Sequence, residues 1–298
     1  MLTLLRKWGE FVKFSHTVFA LPFAIAAMAV AARENRGWPG LRTFLLILAA
    51  MVSARTCAMA FNRIADRRFD ALNPRTAQRH LPAGKISLAS AISLCVLSGA
   101  GLVMASYFLN PICFYLSPLA LVIICSYSLA KRYTDYTHVV LGVALALAPI
   151  GAWLAVKGTA VTGKEMLQML ILAAAVILWL VGFDIIYALQ DYEFDRRHGL
   201  RSLVVAWGPQ NALKASFLAH LLMCGLLFAF GLACRFGIAY LVGWMAIVAC
   251  LCMEHLIARM RSLQWINVAF FRLNAVVSLV FLVVTVAEVA FNGGFRLR

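Results

Sequence analysis

Charge is scarce in this chain. Asp, Glu, Lys and Arg make up 13% of its 298 residues, against about a quarter in an ordinary soluble domain. Acidic residues are scarcer still, 12 against 27 Lys and Arg. In their place stand apolar residues, 63% of the chain, gathered in runs of about 20, the length that crosses a bilayer core. A compact soluble domain is thereby excluded. The 8 cysteines lie in or beside the apolar runs, with neither the spacing of a metal site nor a secreted disulfide framework, so unpaired thiols are expected. No inverted repeat stands out, which speaks against a common transporter design.

The expected fold is all-α and polytopic, a single domain over residues 1–298. Nine spans fall near 17–32, 43–61, 86–108, 111–130, 138–156, 166–188, 212–233, 236–257 and 270–291. The run at 17–32 has signal-like flanks, but spans continue toward the C-terminus, so it reads as the first of them. Residues 1–15 mix Leu, Trp and Phe with Arg6, Lys7 and Lys13, as in a helix lying at the membrane interface. Two connections are long and polar, 62–85 and 191–211. They lie four spans apart, hence on one side of the membrane. That side, taken with the N-terminus, carries 18 of the 27 Lys and Arg, against 8 opposite and Arg55 within a span. The positive-inside rule places it in the cytoplasm, with the bacterial inner membrane as the expected location. A formal charge of +15 concentrated at span ends suits lipid headgroups and an anionic substrate rather than nucleic acid.

The few acids are not scattered. Asn62, Asp66 and Asp70 recur every four residues in NRIADRRFDALNPRT, and Asp184, Tyr187, Asp191 and Asp195 follow one another in DIIYALQDYEFD. At 100° per residue each set forms one helical stripe. Neighbouring carboxylates repel unless a cation lies between them. An all-oxygen set suits Mg²⁺ held by a few carboxylates and substrate phosphates. Arg75 follows Asp70 by five residues and Lys131 ends the fourth span, and beside a carboxylate-held Mg²⁺ the two suit a diphosphate clamp; Tyr127 lies one turn before Lys131. Arg55 precedes Asn62 by seven residues on the same face. An arginine inside a span needs an anionic partner, and a substrate carboxylate would serve. Arg67, Arg68, Arg196 and Arg197 read as solvated topology charges, and Asp135 as either a polar wall or a turn. His16, Glu254, His255 and Glu288 lack a surrounding motif and read as structural.

These motifs, with LPAGKIS, YSLAKR and GLRSL, resemble those of the UbiA superfamily of intramembrane aromatic prenyltransferases, most closely its 4-hydroxybenzoate polyprenyltransferase-like branch. The resemblance covers essentially the whole chain. It implies nine transmembrane helices around a central cavity with cytosolic helical caps. It implies polyprenyl diphosphate and Mg²⁺ held by Asn62, Asp66, Asp70, Asp191 and Asp195, with Arg75 and Lys131 on phosphate. Asp184, Tyr187 and Tyr127 would line the substrate pocket, and Arg55 would meet a hydroxylated aromatic carboxylate. Asp191 is the candidate base. No obligatory protein partner is implied. The stretches KFSHTVFALPFAIAA and RTCAMAFNR look more like a sub-branch serving menaquinone formation on a dihydroxynaphthoate-type acceptor, which is the alternative. An ion-coupled transporter is a remote one, since the acids sit at span ends beside phosphate-suited bases rather than at the midplane.

Overall fold

The computed structural model describes residues 2–13, 17–259 and 269–291; His16 lies outside them. Among the described residues every regular element is helical. The main helices are α1 (Leu2–Phe11), α2 (Thr17–Ala31), α3 (Leu41–Leu72), α4 (Leu88–Leu109), α5 (Pro111–Ser126), α6 (Thr137–Lys157), α7 (Gly163–Ala188), α8 (Tyr192–Arg197), α9 (Leu203–Cys234), α10 (Ile238–Arg259) and α11 (Asn274–Phe291). A 3₁₀ segment, Tyr127–Arg132, prolongs α5.

Eight of these helical stretches are long and apolar enough to cross a membrane. The first of the nine expected spans does not reach that length. Helix α2 has 15 residues, ~22 Å at 1.5 Å per residue, short of the ~30 Å hydrocarbon core. It sits at the centre of the molecule instead, packed on α6 and α11. Ala24, Ala26 and Ala27 are fully buried, and such small side chains let helix backbones approach closely in lipid. The rest of the core is aromatic. Phe23 stacks on Phe281 with centroids 4.9 Å apart and meets Trp179 at the same distance. Leu97, Tyr115 and Ile238 stay exposed on the outside, where lipid tails take the place of a protein neighbour.

Tight links keep consecutive helices antiparallel. Asn110 caps α5 by accepting from the Cys113 amide at 3.0 Å. Its own amide donates to Leu154 O at 2.9 Å, which ties the α4–α5 link to the end of α6. Pro111 occupies the first turn of α5, where its missing N–H is harmless. Helix α9 begins at Leu203, well before the expected 212. The sequence Gly208-Pro209 reads as a helix breaker, and Gly208 does leave helical geometry, at φ 75° and ψ 158°. The chain kinks there and resumes, because Pro209 is pre-set for a helix start.

The ends of α3, α5 and α7 and the start of α6 converge at one end of the bundle. Helix α3 runs 32 residues, so its last turns carry Asn62, Asp66 and Asp70. Helix α7 ends at Ala188, and a 3₁₀ turn then brings Asp191 to α8. The loop after α3 folds back on it, with Thr76 Oγ1 donating to Asp70 O at 3.1 Å.

Candidate active site

A cavity of about 590 Å³ opens at this end of the bundle and runs down between α3, α5, α6 and α7. Its mouth is polar. Asn62, Asp66 and Asp70 line it from α3, and Asp184, Tyr187, Asp191 and Asp195 from the second motif. Its shaft is apolar, walled by residues such as Ile47, Leu109, Leu116 and Leu154. Sequence spacing had set two acidic stripes on two distant helices; the fold brings both to one mouth.

Each acid has a cationic or amide neighbour. Asn62 Nδ2 donates to Asp66 Oδ2 at 3.0 Å, and Arg132 Nη2 lies 3.7 Å from Asp66 Oδ1. Arg79 Nη1 donates to Asp70 Oδ1 at 2.6 Å. Lys131 Nζ donates to Asp195 Oδ2 at 2.6 Å. Arg75 grips Asp191 through two hydrogen bonds, of 2.9 and 2.5 Å, while its Nη1 donates to Tyr187 OH at 3.0 Å. Arg75 thus lies behind the cavity wall, on Asp191, rather than on the wall where a phosphate contact was expected. Lys131 does line the cavity. Tyr127 also lines it, with its hydroxyl 3.9 Å from Met59 Sδ.

Cations missed in the sequence complete the mouth. Lys13, Arg63 and Arg79 line it, together with Arg55, Lys131 and Arg132. Arg63 is buried, its Nε donating to Phe11 O at 3.3 Å. Burial and the nearby Arg63, Arg79 and Arg75 lower the Lys13 pKa, as expected where like charges gather without an anion. Burial works against the Arg75 charge, but Tyr187 and Asp191 outweigh it and its pKa is raised. Arg55 donates to Lys13 O at 3.1 Å through Nη2, and its buried Nε has no partner. His138 was not singled out either. It is buried, and its Nδ1 lies 2.7 Å from Asp184 Oδ2. Its sequence signal is slight: one histidine at a helix start, whose partner lies 46 positions away.

The residues present fit a divalent metal. Asp70 Oδ2 is buried and has no partner, and it belongs to an all-oxygen row facing the cavity. Among the described residues no three His, Cys, Asp or Glu side chains converge on one point. That geometry suits a hard cation held by one or two carboxylates and by substrate phosphates, rather than a closed protein cage.

The UbiA prenyltransferase family model matches residues 20–276. The chain belongs to the UbiA prenyltransferase family. It is 31% identical over 229 residues to a 4-hydroxybenzoate octaprenyltransferase of Pseudomonas savastanoi pv. phaseolicola, covering 76% of this chain and 75% of that one. It is 33% identical over 228 residues to the enzyme of the same name from Burkholderia lata, covering 75% of each. A solved UbiA homologue from Aeropyrum pernix K1 superposes with a TM-score of 0.82 at 33% identity, over 92% of this chain and 98% of that one. A UbiA homologue from Archaeoglobus fulgidus, solved with GPP and Mg²⁺, shares the fold, with a TM-score of 0.70 at 22% identity over 95% of this chain and 99% of that one. The UbiA fold accounts for the all-helical, multi-pass membrane architecture. As in the sequence reading, the chain is a prenyltransferase-family protein with its polar residues gathered at one end of the bundle.

Proposed function

We propose that this protein transfers a polyprenyl group from polyprenyl diphosphate to the ring of a hydroxylated aromatic acid of the 4-hydroxybenzoate type, with its polar mouth facing the cytoplasm. One observation carries the reading. Among the described residues ten buried side-chain nitrogens and oxygens have no hydrogen-bond partner, and six of them belong to Thr17, Arg55, Asp70, Ser128, Thr137 and His138, which line this one cavity. Buried polar groups are normally paired, so a polar ligand at the mouth and an apolar one in the shaft match the lining. The name of the two relatives, 4-hydroxybenzoate octaprenyltransferase, supports the acceptor class.

The mouth carries six cationic side chains and five carboxylates. That near balance lets a diphosphate enter only with added positive charge. Asp66 and Asp70 on one row, and Asp191 and Asp195 on the other, would hold Mg²⁺ through carboxylate oxygens. When bound, Mg²⁺ offsets the charge that builds on the departing diphosphate. Lys131, Arg79 and Arg132 orient the phosphate oxygens from the wall. Arg75 keeps the Asp191 carboxylate in place. The C–O bond of the donor then breaks with its electron pair going to diphosphate, and the apolar shaft keeps water from the allylic cation. Arg55 receives the acceptor carboxylate with the guanidinium face that has no partner in the fold.

The test is direct. Purified protein in lipid nanodiscs, given a polyprenyl diphosphate and Mg²⁺, is offered 4-hydroxybenzoate and a dihydroxynaphthoate side by side. Prenylated product and diphosphate are expected in equal amounts, with 4-hydroxybenzoate preferred. The absence of prenylated product from every hydroxylated aromatic acid would overturn the proposal. Preference for the naphthoate would keep the reaction and reassign the acceptor.

A further inference from the structure

Two cysteines meet behind the wall of the cavity. Cys57 of α3 and Cys95 of α4 bring their sulfurs to 3.8 Å, and the Cys95 sulfur also lies 3.7 Å from the Cys57 carbonyl oxygen. A third thiol, Cys125 of α5, interacts with Cys57. None of the three lines the cavity, and the reaction proposed above uses none of them. Their chain neighbours stand closer to it. Arg55 and Met59 flank Cys57 at two residues on either side, Tyr127 follows Cys125 by two, and all three of these line the cavity.

Small residues build the seam between α3 and α4. A Cβ on Gly101 would stand 2.9 Å from Ser53 Oγ, and one on Gly99 would stand 3.5 Å from Cys57 Sγ. Ala60 and Ala91, fully buried in one cluster, carry the seam on toward the mouth. Small side chains let helices approach closely in lipid. A disulfide needs that closeness, with its Cα atoms ~4.4–6.8 Å apart. The two thiols differ in access. Cys57 is buried, whereas Cys95 is half-buried, and Ile92 and Val96 beside it are exposed on the outer face of α4. That face meets lipid tails, so the reactant that reaches Cys95 is an apolar one dissolved in the bilayer.

We propose that Cys57 and Cys95 are a redox-sensitive pair, which a quinone dissolved in the bilayer oxidises to a disulfide, and that the bridge slows prenyl transfer. The effect on transfer rests on the function proposed above; the bridge itself does not. The Cys95 sulfur gives an electron pair to a ring carbon of the quinone, and its proton goes to a quinone oxygen. The Cys57 sulfur then attacks the Cys95 sulfur. The S–S bond forms as the S–C bond breaks, the electron pair of that bond stays with the ring, and the Cys57 proton goes to the second oxygen. The dithiol has lost two electrons and two protons, and the quinone has become the quinol. A fully substituted quinone suits the step, because it has no ring hydrogen to lose and so does not retain the thiol. Closing the sulfurs from 3.8 Å to ~2.05 Å pulls on α3 between Arg55 and Met59. A shift of about an ångström in a positioned group costs up to about a hundredfold in rate.

The experiment uses purified full-length protein, reduced and then freed of reductant, in lipid nanodiscs. One sample receives a fully substituted benzoquinone bearing a decyl chain, and a parallel sample receives oxidised glutathione in the water. Mass spectrometry of the digest looks for a Cys57–Cys95 linked peptide, and initial rates of prenyl transfer are taken before and after. The quinone is expected to give the linked peptide and a fall in rate of about tenfold or more, both reversed by dithiothreitol. Oxidised glutathione gives neither. Cys95→Ser keeps the rate of the reduced protein and loses the response, while Cys125→Ser keeps the response. Absence of the linked peptide from the wild type would overturn the proposal, as would a linked peptide with an unchanged rate or an equal fall in Cys95→Ser. A Cys57–Cys125 link in its place would overturn the pairing, and linking by oxidised glutathione but not by the quinone would overturn the route through the bilayer. A reduced wild type that prenylates no hydroxylated aromatic acid would overturn the function and the effect on rate, while the linked peptide still decides the thiol pair.

Discussion

Arg75 and Asp191 lie 116 positions apart and meet through a paired contact, Nε to Oδ1 at 2.9 Å and Nη2 to Oδ2 at 2.5 Å. The loop after the first acidic row is thereby fastened to the second row. Asn73 adds a hydrogen bond to the same Asp191 oxygen at 3.3 Å.

Removing that fork leaves a buried carboxylate with Asn73 in place of its cationic partner. Arg75→Ala is expected to lower kcat by about a hundredfold, the loss that follows when a catalytic group is displaced by about an ångström. Arg75→Lys recovers only part, because one ammonium cannot make two parallel bonds. Steady-state rates of diphosphate release check both variants.

Metal removal acts at Asp70. EDTA is expected to abolish diphosphate release, and added Mg²⁺ to restore it. Asp70→Asn keeps the shape of the side chain and loses its charge, so half-activation needs about tenfold more Mg²⁺ or greater. A magnesium titration of each protein reads this. Unchanged Mg²⁺ dependence in the variant would remove Asp70 from the metal site.

Arg55 separates the two substrates. Arg55→Gln is expected to raise the acceptor KM by about tenfold to a hundredfold, in line with the loss of a charge-assisted contact. The donor KM stays within about twofold. Varying each substrate in turn distinguishes the two constants.

Gly182 tests the packing behind the site. A Cβ there would fall 2.1 Å from the His220 ring, which is held by a hydrogen bond to Trp179 O at 3.2 Å and by His255 at 2.9 Å. Gly182→Ala is expected to destabilise the protein by about 1–3 kcal/mol through overpacking. Denaturation in detergent measures it.

The acidic rows were legible because a four-residue repeat on a helix fixes a common face whatever the surroundings. Arg55 drew notice for a different reason, since a cation inside an apolar run needs a partner, and it lines the cavity. Arg75 was expected on phosphate, and the fold carries it to Asp191. Sequence distance shows that it follows Asp70, and cannot show that the loop carries it across to Asp191. His138 depends wholly on a contact between two helices, so no local pattern marks it. Helix α2 looked like any other span because its composition is apolar; its shortness follows from where the chain turns at Arg33–Asn35. Glu254, read as structural, is buried with Asn274 donating to it at 2.8 Å, at the core rather than the cavity.

Two arginines of α3 hold backbone carbonyls at the end of α1: Arg63 takes Phe11 O and Arg55 takes Lys13 O. The last carbonyls of a helix have no partner within it, and the surface helix borrows guanidinium groups that also face the cavity. The N-terminal segment therefore helps to set where two of the cavity's guanidinium groups stand, so a helix outside the bundle shapes the charge inside it.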